Sequence, residues 1–190
     1  MKNKDEFLVK NNSNVLFGYR LSNASEALVG VDDDGFSFIV YKTGKVAYRT
    51  YICFGIVKKS VSFRVKKSLP KEITALIESN RSIIESLDCD IDNGSYDGSF
   101  SKFNFDGKIV TTLNLHPKKH DIEDVKRNNR DYYDEYKDVM RQENDILEIF
   151  DAVCLILKKY NIKLSLHNVK LPLSVYFSKY KIGEREYGKQ

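Results

Sequence analysis

The chain has 190 residues, a formal net charge of +4 and 42 % hydrophobic residues, values that are typical of a folded globular protein. Its 3 prolines and 10 glycines are too few to predict long disordered linkers. The first twelve residues, MKNKDEFLVKNN, lack the apolar run of a signal peptide, and no run of about eighteen apolar residues predicts a membrane span, so we expect a cytoplasmic protein without a membrane partner.

Residues 1–190 are predicted to form a single domain whose ends, residues 1–13 and 181–190, are frayed. The three cysteines, Cys53, Cys89 and Cys154, are widely spaced and form no C-x-x-C pair, so we expect neither a disulfide framework nor a cysteine zinc site. We expect no cofactor. The frequent lysine, asparagine, isoleucine and tyrosine and the absence of tryptophan are typical of AT-rich coding, as in a low-GC bacterium or its phages.

The first third of the sequence predicts a meander of antiparallel strands. Its strand segments are rich in β-branched and aromatic residues, and short gaps with Gly, Asn, Asp or Lys separate them. They cover residues 15–21, 26–31, 36–41, 45–54 and 60–66. In the last of them Val61, Phe63 and Val65 alternate with polar residues, which predicts that one face of this strand is buried.

The apolar period then changes from strand to helix. Ser68 as a cap and Pro70 in the first turn open a predicted amphipathic helix of about four or five turns. Its apolar residues near helical spacing are Ile73, Leu76, Ile77, Ile83, Ile84 and Leu87. After it, SFSKFNF and KIVTTLNL flank a DG pair at 106–107, which predicts a β-hairpin.

The last third predicts a long helical region from about residue 122 to 160, either one helix or two broken near Asn128 or Asn144, followed by a short strand in IKLSLHNVKL. The fold class is therefore predicted as α+β. We expect an antiparallel β-meander in the N-terminal half, with a short helix, a β-hairpin and a long helix or helix pair packed on one face of the sheet.

Residues 121–151 contain eleven acidic and five basic residues, a net charge of −6, which leaves +10 for the rest of the chain. At about 100° per residue, one side of the predicted helix is apolar and the opposite side is acidic. The apolar side comprises Tyr132, Tyr136, Val139, Glu143, Ile146, Leu147, Phe150, Cys154 and Leu157. The acidic side, predicted as the partner-binding site, comprises Asp131, Asp134, Glu135, Asp138 and Asp145. Complementary charge would favour a partner with a basic surface.

A basic patch is predicted in the segment 58–67, KKSVSFRVKK. Its members are Lys58, Lys59, Arg64, Lys66 and Lys67. Single-stranded nucleic acids bind basic residues interleaved with exposed aromatic rings, but Phe63 alternates inward with its apolar neighbours. Lysines that protect an edge strand from aggregation account for the same pattern.

Two aspartate-rich segments raise the alternative of a metal-dependent hydrolase or nuclease: Asp32, Asp33 and Asp34, and the stretch from Asp88 to Asp97. The second segment fails as an EF-hand, because Asn93 and Ser99 stand where glycine and glutamate are required. His116 and His120 are four residues apart, but the intervening proline disfavours a helical pair of metal ligands. We therefore expect turn aspartates, no metal site and no catalytic residue.

Three functional hypotheses follow from these patterns. The first is a non-enzymatic protein-binding module, an inhibitor or immunity-type protein of a bacterium or phage that presents the acidic helix to a basic partner such as a nucleic-acid-processing enzyme. The second is a metal-dependent hydrolase or nuclease that uses Asp32–Asp34 or Asp88–Asp97. The third is nucleic-acid binding through the basic strand Lys58–Lys67.

Overall fold

The protein is an α+β domain in which helices cover one face of a seven-stranded, mostly antiparallel sheet. The structure is a computed structural model, and it describes residues 14–23, 35–52, 56–92 and 99–175. The predicted strand 26–31, the predicted frayed ends at 1–13 and 181–190, and Asp32, Asp33, Asp34 and Cys53 lie outside the described residues. The predicted fold class is confirmed.

The sheet has the strand order β4-β3-β2-β1-β6-β7-β5. Its strands are β1 Val15–Asn23, β2 Gly35–Tyr41, β3 Lys45–Ile52, β4 Ile56–Arg64, β5 Asp90–Ile91, β6 Ser99–Phe105 and β7 Lys108–Leu113. Every pairing is antiparallel except that of β5 with β7, which is parallel. The basic strand β4 is therefore an edge strand. This position is the one required if its lysines protect a sheet edge from aggregation.

The predicted hairpin at the DG pair is confirmed between β6 and β7. Asp106 and Gly107 have φ angles of 50° and 101°, which are the left-handed values that a tight two-residue turn requires at both central positions. Phe103 and Phe105 face the core, and the carboxylate of Asp106 lies 2.6 Å from the ammonium of Lys42 in the neighbouring β2–β3 turn. Two adjacent turns are thus tied together at one end of the sheet.

The predicted helix after β4 is divided into α1 Ser68–Ser79 and α2 Arg81–Ser86, so the prediction of one continuous helix was wrong. Asn80 lies between them with φ −111° and ψ 13°, and its side-chain amide donates to the carbonyl of Leu76 at 2.9 Å. An asparagine side chain that bonds to the preceding backbone competes with continuation of the helix. Ile73, Ile77 and Ile84 are buried, but Ile83 is 39 % exposed.

The C-terminal helical region is two helices, α3 Ile122–Asn128 and α4 Arg130–Lys158, so the break predicted as one option near Asn128 is confirmed and α4 continues through Asn144. Asn129 is the N-cap of α4, and its side chain accepts a hydrogen bond from the backbone N–H of Tyr132. Phe150 of α4 packs on β1 and β6, with ring centroids 5.0 Å from Tyr19 and 5.6 Å from Phe103. Aromatic contacts at these distances fix α4 across the middle of the sheet.

The segment predicted as one short strand after α4 is a small hairpin of β8 Lys163–Leu164 and β9 Val169–Lys170. It pairs with itself and not with the main sheet, and its alternate residues enter the core. The core residues contributed by this hairpin and its flanks are Ile162, Leu164, Leu166, Val169, Leu171 and Val175. The hairpin therefore closes the end of the core beside the C-terminus of α4.

Candidate functional site

Four of the five predicted acidic residues form one exposed row on α4, which we call the acidic stripe: Asp131, Asp134, Glu135 and Asp138. Their spacing of i, i+3, i+4 and i+7 places them on one side of the helix. Tyr133 and Met140, on the opposite side, are buried. Asp145 does not belong to this exposed surface, because it is partly buried, and that burial raises the pKa of its carboxyl group, helped by Glu148.

Arginines on the same helix partly neutralise the acidic stripe. The guanidinium of Arg130 lies 2.9 Å from the carboxylate of Asp134, and that of Arg141 lies 3.1 Å from Asp138. Both pairs are exposed, and solvent screening makes exposed helical ion pairs weak. The four carboxylates of the acidic stripe and these two guanidiniums together carry a net charge of −2.

A tyrosine pair borders the acidic stripe. The rings of Tyr132 and Tyr136 stack with their centroids 4.8 Å apart and their planes at 29°, and Tyr132 is 37 % exposed. A hydrogen bond with Glu135 raises the pKa of Tyr136 and links the pair to the stripe. The prediction that Tyr132 belongs to the buried side was wrong. Tyrosine is a side chain that protein–protein interfaces favour, and here an exposed tyrosine stacks on a partly exposed one beside charged residues.

Tyr133, the neighbour of that pair, is buried on the α3 side of α4. Three cations approach its ring: Arg130 at 5.4 Å, Lys126 at 5.5 Å and Lys137 at 6.0 Å from the centroid. A cation within about 6 Å of a ring centroid is attracted to the face of the ring. The Lys126 contact joins α3 to the first turns of α4, whereas the contacts of Arg130 and Lys137 lie within α4.

Below the acidic stripe, α4 is tied to the segment that precedes α3. Asn144 accepts a hydrogen bond from the backbone N–H of His120 at 2.6 Å and donates to its carbonyl at 3.0 Å. The imidazole Nε2 of the same His120 lies 2.5 Å from the carboxylate of Glu143, the residue before Asn144, and Glu143 is only 1 % exposed. The helical period predicted Glu143 on the buried side of α4. It did not predict that His120 is the partner of Glu143, and the spacing of His116 and His120 was the only signal in the sequence that singled out this histidine.

The five residues of the predicted basic patch are all exposed, but they do not line one cavity. Lys58 and Lys59 are exposed near an irregularity in the pairing of β3 with β4. Arg64 and Lys66, by contrast, line a cavity of about 470 Å³ together with residues that follow α4. Lys67 precedes α1 and lines a different groove. The structure therefore separates the five basic residues into three environments.

The aspartate-rich segment that begins at Asp88 is only partly within the described residues, which end there at Asp92. The Asp88 carboxylate accepts a hydrogen bond from Gln142 at 2.8 Å, so it connects the α2–β5 linker to α4. Asp90 lies on β5, opposite Thr111. Within the described ranges, no group of three or more His, Cys, Asp or Glu residues could hold a metal ion.

Cys154 and Cys89 are free cysteines in the described part of the chain. Burial raises the pKa of the Cys154 thiol to about 12, so this group stays protonated at neutral pH and is a poor nucleophile. His116 and His120 have ring centroids 5.6 Å apart, but the hydrogen bond of His120 goes to Glu143. These geometries describe packing and anchoring contacts rather than a nucleophile with its base.

No known protein-family model matches this chain, and no curated protein sequence is similar to it. Among the helices that the structure describes, none is both long and apolar enough to pass through a membrane.

Proposed function

We propose that this protein is a non-enzymatic, cytosolic protein-binding module, an inhibitor or immunity-type protein of a bacterium or phage, whose acidic stripe binds a basic surface of another protein. The observation that supports this proposal is the exposed row of Asp131, Asp134, Glu135 and Asp138 beside the stacked tyrosines Tyr132 and Tyr136. A nucleic-acid-processing enzyme is a partner of suitable chemistry, because its substrate groove is basic and a row of carboxylates can occupy it.

Charge and aromatic residues have separate roles in this proposal. The carboxylates speed encounter and fix the register of the partner, whereas a tyrosine that becomes buried in the complex supplies most of the binding energy. The helix that carries them is anchored by contacts with α3, by the hydrogen bonds of Asn144 and by the packing of Phe150 on the sheet. A rigid binding surface loses less conformational entropy on association.

The test is a pair of matched double variants in a quantitative pull-down from the native host, with nuclease present. Glu135→Lys/Asp138→Lys alters the acidic stripe, and Glu85→Lys/Asp151→Lys alters exposed acids elsewhere. Each double variant changes the net charge by +4 and removes one exposed ion pair with an arginine. That pair is Asp138 with Arg141 in the first variant and Glu85 with Arg81 in the second. We expect the first variant to lose its partner, at about tenfold or more in affinity, and the second to keep it.

Circular dichroism and thermal melting of both variants establish that they are folded. If the Glu135→Lys/Asp138→Lys variant is folded and recovers its partner as well as the wild type does, the acidic stripe is not the binding surface. Equal loss in both variants would also contradict the proposal, because it would indicate dependence on net charge alone.

A further inference from the structure

A cavity of about 470 Å³ lies beside the C-terminal end of the edge strand β4, opposite the turn that follows α4. Six of its residues carry the chemistry discussed here: Phe63, Arg64, Lys66, Tyr160, Asn161 and Ser174. The volume is within the range of small-molecule sites, about 300–1,000 Å³. The cavity is also remote in sequence from the acidic stripe, since it joins residues 63–66 to residues 159–175.

Positive charge dominates the β4 side of this cavity. Arg64 and Lys66 are both exposed, and neither forms an ion pair with another residue of the described ranges. Lys45 lies directly opposite Arg64 in the pairing of β3 with β4. Lys45 does not line the cavity, and its ammonium lies 5.1 Å from the centroid of the Tyr41 ring, so Arg64 and Lys66 supply the positive charge on the β4 side.

A half-buried tyrosine faces this charge from the turn after α4. The hydroxyl of Tyr160 donates to the Glu72 carboxylate at 2.5 Å and lies 2.8 Å from the hydroxyl of Ser68. Glu72 is in turn paired with Lys159 at 2.8 Å. These contacts fix the Tyr160 ring at the cavity, and a fixed ring loses little entropy when a planar group stacks on it.

Neutral polar groups complete the opposite wall. Asn161 has a φ angle of 59°, a left-handed conformation that asparagine tolerates, and the backbone N–H of Ile162 then donates to the carbonyl of Leu157. This turn places the Asn161 residue and the later Ser174 at the same cavity as Arg64. An amide and a hydroxyl can hydrogen-bond a sugar or the edge of a base.

We propose that this cavity binds a nucleotide, with its phosphates at Arg64 and Lys66 and its base stacked on Tyr160. Arginine and lysine are the side chains that bind phosphate oxygens, and a base stacks on an aromatic ring without regard to sequence. The same chemistry is present in a free nucleotide and in one unit of a single-stranded nucleic acid.

The test is a fluorescence anisotropy titration of the full chain with mant-ADP, followed by competition with unlabelled ADP or with a short oligothymidylate. We expect saturable binding to the wild type and a loss of about tenfold or more in affinity in Arg64→Gln/Lys66→Gln. Lys163→Gln/Lys170→Gln is the matched control, because it removes the same charge from exposed residues of the β8–β9 hairpin that do not line the cavity.

Two further variants separate stacking from structure at Tyr160. Tyr160→Leu removes the ring and is expected to weaken binding by about tenfold, whereas Tyr160→Phe keeps the ring and is expected to bind within about twofold of the wild type. Displacement by ADP alone identifies a free nucleotide, and displacement by the oligothymidylate identifies a strand; either supports the site. Absence of mant-ADP binding to the wild type, or equal loss in the two double glutamine variants, would overturn it.

Discussion

The anchoring of α4 by Asn144 can be tested by replacing this residue with alanine. The substitution removes two hydrogen bonds to the backbone of His120, at 2.6 Å and 3.0 Å. Each such bond contributes about 1 kcal/mol net, so their loss costs about 2 kcal/mol. Alanine has the higher helix propensity and returns about 0.5 kcal/mol. The free energy of unfolding is therefore expected to fall by about 1.5 kcal/mol.

The measurement is urea denaturation, monitored by far-UV circular dichroism. We expect the m-value to be the same in the variant and the wild type. For a chain of this length, about 1.5 kcal/mol corresponds to a decrease in Tm of about 3–6 °C. The control is Asn128→Ala, which makes the same exchange in α3 and removes one exposed hydrogen bond to Asp124. We expect that control to remain within about 0.5 kcal/mol of the wild type.

The reasoning would be refuted if Asn144→Ala were no less stable than Asn128→Ala. Amide hydrogen exchange locates the effect, because loss of the anchor should lower protection around residues 116–121 before it lowers protection in β1 or β6. A uniform decrease in protection across the chain would show that Asn144 acts on global stability and not on this segment.

Two further substitutions follow from the same structure. Burial, with Glu148 nearby, raises the pKa of Asp145 above its unfolded value. The stability linked to its protonated form is therefore complete at low pH and is lost as the pH rises through the folded-state pKa. Asp145→Asn should raise Tm at pH about 7, and thermal melts at pH about 3 should show no difference between the variant and the wild type. A persistent difference at low pH would contradict this cause. Gly35 has a φ angle of 120°, and a Cβ added there would lie 2.0 Å from the carbonyl oxygen of Leu21, whereas one added at Gly107 meets no atom within 4 Å. Gly35→Ala should thus cost about 2 kcal/mol more than Gly107→Ala in denaturant titrations, and equal costs would contradict the steric argument.

The sequence predicted most local elements because their signals are local. Alternation gave the buried face of β4, and the DG pair gave the β6–β7 turn. The strand order is set by pairings between distant residues, such as Phe17 with Phe105, which no periodicity encodes. The parallel pairing of β5 with β7 was missed for the same reason.

The buried side of α4 was predicted only in part, because this helix packs against two different partners. Tyr133 is buried next to α3, whereas Phe150 and Leu157 are buried over the sheet and its flanking hairpin. At about 100° per residue, the directions of Tyr133 and Phe150 differ by about 100° around the helix. A single apolar stripe therefore cannot describe both halves, and it placed the exposed Tyr132 on the buried side.

The candidate sites differ in how far the sequence could define them. The acidic stripe needs only the helical period, and four of its five predicted residues are exposed as expected. The cavity at Arg64 combines residues almost a hundred positions apart in the chain, so no motif could indicate it. The pairing of Glu143 with His120 is also set by tertiary packing.

The central position of β1 has a consequence for the order in which the chain folds. β1 pairs with β2, the next described strand in the chain, but its other edge pairs with β6, and Phe17 lies opposite Phe105. During synthesis, the strands β1 to β4 leave the ribosome before β6, so the edge of β1 that pairs with β6 is still unpaired. Pairing of β1 with β6 is slow because it joins residues far apart in the chain, which costs loop-closure entropy. We expect this edge to be where a nascent or partly folded chain aggregates or requires a chaperone.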